Sequence, residues 1–315
     1  MIKGASMHTI YVDPDKNEEF LRNELYQGQL IIYSARKAMR DVISHAETML
    51  NQAFSPYDPL YAQFEMPVQE WVAIFAALKP RFIHHPETMR LLIEVIKELG
   101  WDLDQWYVDV PRLRGVTSHG YLTTGVGYAH HPHRDSWWSA PMQQINFWLP
   151  IYNYEGASGM EFYPDYWGVE VPNSSNEFDY YDWNAHGRAD AAKMIKADTR
   201  KQPKASASLD LKNKLRLVVP VGGAQVFAAC HLHGAVGNDT GKARFSLDWR
   251  VVHIADLESG KAPANLDCKG LGTSLRDFRR ASDLAPMPEE IVARYDTGYG
   301  SDVDRLNKVL VYQPN

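Results

Sequence analysis

The sequence predicts a mainly β fold with flanking helices: a double-stranded β-helix core, jelly-roll or cupin-like, preceded by an N-terminal helical block. Three observations predict it. Apolar residues recur at helical spacing up to about residue 103. From residue 105 the period shortens, and runs rich in Val, Ile, Tyr and Phe are separated by Gly and Pro. A helical block followed by many short strands suits two stacked sheets with helices packed outside.

Asp15 to Gln52 carries Phe20, Leu21, Leu25, Leu30, Ile31, Ala35 and Met39 at helical spacing. Pro56, Pro59 and Pro67 punctuate the stretch from Phe54 to Met66 and make it a loop. Val68 to Leu78 reads as a helix stopped by Pro80. The next helix starts at Pro86 and ends at Gly100, the expected order for these two residues. Expected strands are 105–110, 121–129, 143–151, 159–163, 215–221, 224–229 and 243–254. Residues 165–213 interrupt them, aromatic and acidic at first and Lys-rich later. An insertion of 49 residues is too long for a plain connection and reads as a lid or binding loop, or as a solvated surface excursion. A last helix is expected near Pro288 to Tyr295. The whole reads as one domain: a helical support region over 1–104, a core over 105–255 carrying the insertion, and an extension over 256–315.

Apolar content of 45% and charged content of 23% are ordinary for a soluble globular chain of 315 residues. A net charge of −6 gives no global field to recruit nucleic acid. The two cysteines, Cys230 and Cys268, build no disulfide framework and fit a reducing compartment; Cys230 reads as a small apolar residue. The first residues lack the apolar core of a signal peptide, and no stretch approaches the roughly 20 apolar residues of a membrane span. A cytoplasmic protein is expected, with neither nucleic acid nor membrane as partner.

The chemistry concentrates in His131-Pro132-His133-Arg134-Asp135 and in the distant His231-Leu232-His233. A His-x-Asp pair with a remote His is the donor set of the facial triad that holds Fe(II) and leaves its opposite face open. On a strand or its end, His133 and Asp135 share one face and Arg134 takes the other. His231 and His233 share parity, so strand geometry does not separate them. A three-histidine site using His130 and His131 is a rival, although it leaves Asp135 unexplained. Downstream, Arg244, Ser246, Asp248 and Arg250 alternate with Phe245, Leu247, Trp249 and Val251. A polar face inside a barrel is costly unless it pairs internally or serves a ligand. For Asp248 and Arg250 mutual pairing is the simpler reading; contact of Arg250 with an anionic substrate group is the alternative.

These segments resemble the Fe(II)/2-oxoglutarate-dependent oxygenases, most closely the branch related to phytanoyl-CoA dioxygenase. In that branch the distal His is followed by Asn and, eleven residues on, by Arg. Here His233, Asn238 and Arg244 stand at those places, which favours His233 over His231. Gln144-Ile-Asn146-Phe-Trp-Leu-Pro and the stretch from Gly156 to Pro164 are similar to the strand and Gly-rich turn between the ligand segments. Asp165-Tyr166-Trp167 departs from the usual Gly-Ser-His, where the insertion begins. The resemblance covers roughly residues 120–255. It implies His133, Asp135 and His233 as metal ligands and Fe(II), 2-oxoglutarate and O2 as cofactor and co-substrates. It also implies Arg244 on the distal carboxylate with Ser246 assisting, and further contacts from Gln144, Asn146 or Tyr121. Hydroxylation of a small-molecule metabolite, with succinate and CO2 released, is the implied reaction; Asp135 argues against halogenation. Arg250, Trp137 and Tyr163 are candidate substrate contacts, and Arg134, Arg188 and Arg250 would suit an anionic one. The rival classes are a 2-oxoglutarate-independent cupin-type dioxygenase and a non-catalytic jelly-roll sensor.

Overall fold

A computed structural model of the chain describes residues 8–195, 197–298 and 312–313. Most of the N-terminal segment read above, and the part of the 256–315 extension beyond Gly298 apart from residues 312–313, lie outside them. The N-terminal block is helical but carries two strands. β1 (Ile10–Val12) and β2 (Leu30–Tyr33) pair in parallel around α1 (Glu18–Tyr26), whose first turn is capped by the Asn17 side chain accepting from the Phe20 N–H. The helical reading of 15–52 therefore breaks at Gly28. Leu30-Ile31-Ile32-Tyr33 is β-branched and aromatic, and a neighbouring sheet edge outweighs its helical spacing. α2 (Lys37–Phe54), α3 (Val68–Ile83) and α4 (Pro86–Glu98) follow and pack together. α3 runs through Pro80 instead of stopping there. So near the helix end, the ring removes only the bond to the Ala76 carbonyl.

The remaining strands are β3 (Trp106–Val108), β4 (Arg112–Val116), β5 (Ile145–Pro150), β6 (Met160–Phe162), β7 (Leu215–Arg216), β8 (Ala224–Ala228), β9 (His233–Ala235), β10 (Arg244–His253) and β11 (Arg279–Arg280). Short helices α5 (Tyr180–Asp182), α6 (Ile254–Ser259) and α7 (Glu289–Tyr295) are the other α-helices among the described residues. A mixed eight-stranded sheet has the order β1-β2-β8-β5-β10-β3-β11, with β4 also paired to β10; a three-stranded sheet has the order β7-β6-β9. Residues 121–129 form turns rather than the expected strand. The Thr117 hydroxyl donates to the Gly127 carbonyl and accepts from the Leu122 N–H, which closes a loop in place of a ladder. The strand lies instead at Arg112–Val116, directly after Pro111. The expected strand 215–221 shrinks to two residues.

One face of the large sheet packs on α2, α3 and α4 through a core that includes Phe54, Trp71, Phe75, Phe147, Phe245 and Trp249. Gly115 permits the close approach of α3: a Cβ there would lie 3.1 Å from the Phe75 ring and 3.3 Å from Phe245. The opposite face meets the small sheet through Trp148, Met160, Phe162 and Phe227. The alternation read along β10 holds: Phe245, Leu247, Trp249 and Val251 enter the helix-side core, while Arg244, Ser246, Asp248 and Arg250 face a cavity. Both cysteines are free. Among the described residues no helix is long and apolar enough to cross a membrane.

Candidate metal centre and its cavity

A cavity of about 530 Å³ is lined by both sheets, α3 and part of the 165–213 insertion. His133, Asp135 and His233 meet in its wall, with one donor atom from each within 4.8 Å of the others. Backbone pairing sets this geometry. The His133 N–H donates to the His233 carbonyl at 2.8 Å and the His233 N–H returns a bond at 3.0 Å, so two remote segments place their imidazoles side by side. Each ring is oriented by its own chain: His133 Nδ1 donates to the His131 carbonyl at 2.7 Å and His233 Nδ1 to the His231 carbonyl at 3.0 Å. That fixes the tautomer and leaves both Nε2 lone pairs toward Asp135, at 3.4 and 3.9 Å from Oδ1. Burial, reinforced by His133, pulls His233 down to about 4, so it is neutral near pH 7, the form in which an imidazole can take a metal.

The second oxygen of Asp135 is held separately. Gln144 Nε2 donates to Oδ2 at 3.3 Å and Arg250 Nε lies 3.4 Å from it. Burial opposes the charge, but Arg250 outweighs it and holds the carboxyl well below its ordinary range. Arg250 also reaches Asp109 at 3.4 Å and Asp248 at 3.7 Å. It thus neutralises a cluster of three acids. The strand partner expected for it, Asp248, is held mainly by Arg114 at 2.6 Å. Arg250→Leu is expected to cost about 3–5 kcal/mol of stability, because buried carboxylates lose their counter-charge; urea unfolding measures it, and a midpoint near wild type would refute this role.

Arg244 is the other notable group. Its side chain is buried, yet Nε and Nη1 have no hydrogen-bond partner, and the guanidinium lies over Trp148 at 5.5 Å from the ring centre. Burial pulls it down to about 10. Ser246 Oγ and Asn146 Nδ2, on the same cavity wall, are also buried and unpartnered. Arg244 and Ser246, two residues apart on one face of β10, leave polar groups open side by side and form a cradle for an anionic, oxygen-rich ligand, while Asn146 stands farther along the wall, opposite Arg250.

Other expected residues lie elsewhere. Tyr121 donates to the Met66 carbonyl at 3.1 Å, outside the cavity, because its segment is a loop. Trp137 is fully buried and donates to Asp267 at 2.8 Å. Residues 135–138 form a 3-10 turn, which rotates by a third of a circle per residue and brings Trp138 to the cavity instead. Tyr163 donates to Glu161 at 2.8 Å, off the cavity. Arg134 points away from the triad, as alternation required, and pairs with Asp267, so it does not face a substrate. His231 lies between the carbonyls of Ala228 and Gly28, each at 3.1 Å from a ring nitrogen, and against Trp167; it takes no part in the triad. Lys79, Arg114, Trp138 and Trp183 line the cavity without having been read from the sequence. Ala76, Lys79, Pro80 and Ile83 share one face of α3, which is how the helix brings Lys79 to the cavity.

No protein-family model matches this chain, and no curated protein is similar to it. Distant likeness to solved structures exists. A crystal structure of EvdO2 from Micromonospora carbonacea var. aurantiaca is 14% identical with a TM-score of 0.35; the match covers 59% of this chain and 64% of that one, under two thirds of its length. The epimerase SnoN, in complex with Fe3+, alpha ketoglutarate and nogalamycin RO, is 13% identical over 75% of this chain and 83% of that one, with a TM-score of 0.41. The non-heme monooxygenase ThoJ is 11% identical over 87% and 92%, with a TM-score of 0.38. Likeness this distant assigns neither activity nor substrate.

Proposed function

We propose that this chain is an Fe(II)- and 2-oxoglutarate-dependent oxygenase that hydroxylates a small molecule, with the two sheets as the halves of a double-stranded β-helix. One observation carries the reading: a two-His-one-carboxylate cluster shares a cavity with a buried arginine that has open donors. In this reading His133, Asp135 and His233 hold Fe(II), and Arg244 with Ser246 takes the far carboxylate of 2-oxoglutarate. When bound, the iron supplies O2 activation coupled to oxidative decarboxylation, so one oxygen atom enters succinate and the other the substrate C–H bond, with CO2 released.

The chain's own residues provide the setting. The Nδ1–H bonds to the carbonyls of His131 and His231 keep each imidazole presenting Nε2. Gln144 and Arg250 hold Asp135 Oδ2, leaving Oδ1 toward the histidines. Trp148 walls the Arg244 guanidinium from solvent, which strengthens its grip on a carboxylate. A 2-oxoglutarate-independent dioxygenase gives no reason for Arg244 to stay buried without a partner. The test is anaerobic titration with Fe(II) and 2-oxoglutarate, following the visible charge-transfer band of the chelate. A band in the wild type and none in His133→Ala is the expected result; folded, iron-loaded wild type without a band would refute the proposal.

A further inference from the structure

The chain is acidic, at −6, yet seven basic side chains and only three carboxylates line this one cavity. Most of the bases are matched. Arg112 pairs with Asp109, Arg114 with Asp248 and Arg200 with Asp198, while Arg250 serves Asp109, Asp135 and Asp248. Arg244 belongs to the co-substrate in the reading above, on which this inference rests. Lys79 and Arg188 remain. Among the described residues no carboxylate lies within ion-pair distance of Lys79, whose ammonium sits 5.3 Å from the centre of the Phe75 ring. Arg188 reaches Asp277 only at 3.9 Å and the Tyr180 hydroxyl at 3.4 Å, and its Nε is buried without a partner. Neither residue comes from a sheet: Lys79 is on α3 and Arg188 on the insertion. Trp138 and Trp183, edge to face at 5.1 Å, give the same cavity an aromatic wall.

We propose that Lys79 and Arg188 form a clamp for an anionic group of the substrate, and that the substrate is an organic carboxylate or phosphate monoester whose flat apolar body lies against Trp138 and Trp183. A half-buried cation whose counter-ion is absent, as for Lys79, or distant, as for Arg188, is under-compensated, and an anionic ligand relieves that cost. The surroundings of Lys79 agree. Burial pulls its ammonium down to about 7; Arg114 on β4 and Arg188 and Arg200 on the insertion act in the same direction, Asp248 on β10 opposes them, and His130 also lies within its field. An anion bound beside it restores the proton, so affinity for a fully ionised carboxylate should fall as pH rises through 7.

The experiment loads the protein with Mn(II) and 2-oxoglutarate, so that the triad and Arg244 are filled. It then titrates 2-naphthoate, 2-naphthyl phosphate and uncharged 2-naphthylmethanol by tryptophan fluorescence. At least one anion should bind about tenfold more tightly than the alcohol, as an unscreened charge pair allows; which anion wins separates carboxylate from phosphate. Lys79→Met and Arg188→Met should each remove most of that preference and leave alcohol binding unchanged. Lys79→Arg should keep it. The decline of naphthoate binding above pH 7 should vanish in Lys79→Met. Equal binding of the alcohol, a preference that survives both Met substitutions, or no anion binding would overturn the clamp. The charge-transfer band reads the oxygenase proposal separately: the band without anion preference sinks the clamp alone, and anion preference without the band sinks the oxygenase reading alone.

Discussion

Replacing Arg244 by Leu is expected to weaken 2-oxoglutarate binding by about a hundredfold or more and to leave metal affinity nearly unchanged, since truncating one partner of a desolvated charge pair costs about 2–5 kcal/mol. The two effects separate because Arg244 makes no hydrogen bond or ion pair with His133, Asp135 or His233; its guanidinium lies over the Trp148 ring. The ligand-free variant should also melt no lower than wild type. In the wild type Nε and Nη1 are buried without partners, and exchanging an unmatched buried charge for an apolar side chain is neutral or stabilising. Thermal melts with Mn(II), with and without 2-oxoglutarate, measure both: the ligand should raise the midpoint of the wild type only. Arg244→Lys should fall between, because an ammonium keeps the charge but cannot present a two-pronged fork. A Leu variant stabilised by 2-oxoglutarate as strongly as wild type would remove Arg244 from the co-substrate site.

The triad and the polar face of β10 were legible in the sequence because both depend on local rules. Alternation along a strand separates Arg244, Ser246, Asp248 and Arg250 from Phe245, Leu247, Trp249 and Val251 with no knowledge of tertiary structure. The bridge between His133 and His233 then brings together two imidazoles a hundred residues apart, where the family resemblance, and not strand parity, had favoured His233 over His231. What failed were the places where local geometry leaves period two. Trp137 and Trp138 exchange roles because a 3-10 turn begins at Asp135. Tyr121 leaves the cavity because Thr117 closes a loop where a strand was expected. β2 hides inside a helical pattern, and pairing with β1 and β8 makes it a strand. Lys79 could not be found by motif, and Arg188 was legible only as one of several cations that would suit an anion, because what sets them apart is how few carboxylates the other described elements bring close to them.

The second large effect is expected at a residue that hydrogen-bonds to none of His133, Asp135 and His233. Asp267, in the extension after α6, is buried and pairs with Arg134; it also accepts from Trp137 Nε1 at 2.8 Å and from the Val171 N–H at 3.0 Å. Arg134 sits between His133 and Asp135 in the chain and binds the carbonyls of Tyr166 and Val169 at 2.6 and 2.7 Å. One buried ion pair therefore ties the ligand segment, the start of the insertion and the C-terminal extension together. Asp267→Ala should cost about 3–5 kcal/mol, since it strands a guanidinium that is 3% exposed. That is a large share of the roughly 5–15 kcal/mol that stabilises a domain. Metal affinity should drop with it, because the backbone that positions both His133 and Asp135 loses its anchor. The double variant Arg134→Met/Asp267→Leu should be more stable than Asp267→Ala alone, as removing both charges leaves none unmatched. Urea unfolding and Mn(II) titration of the three proteins decide it. If Asp267→Ala unfolds and binds metal like wild type, Arg134 is not the post on which the His-x-Asp segment is fixed.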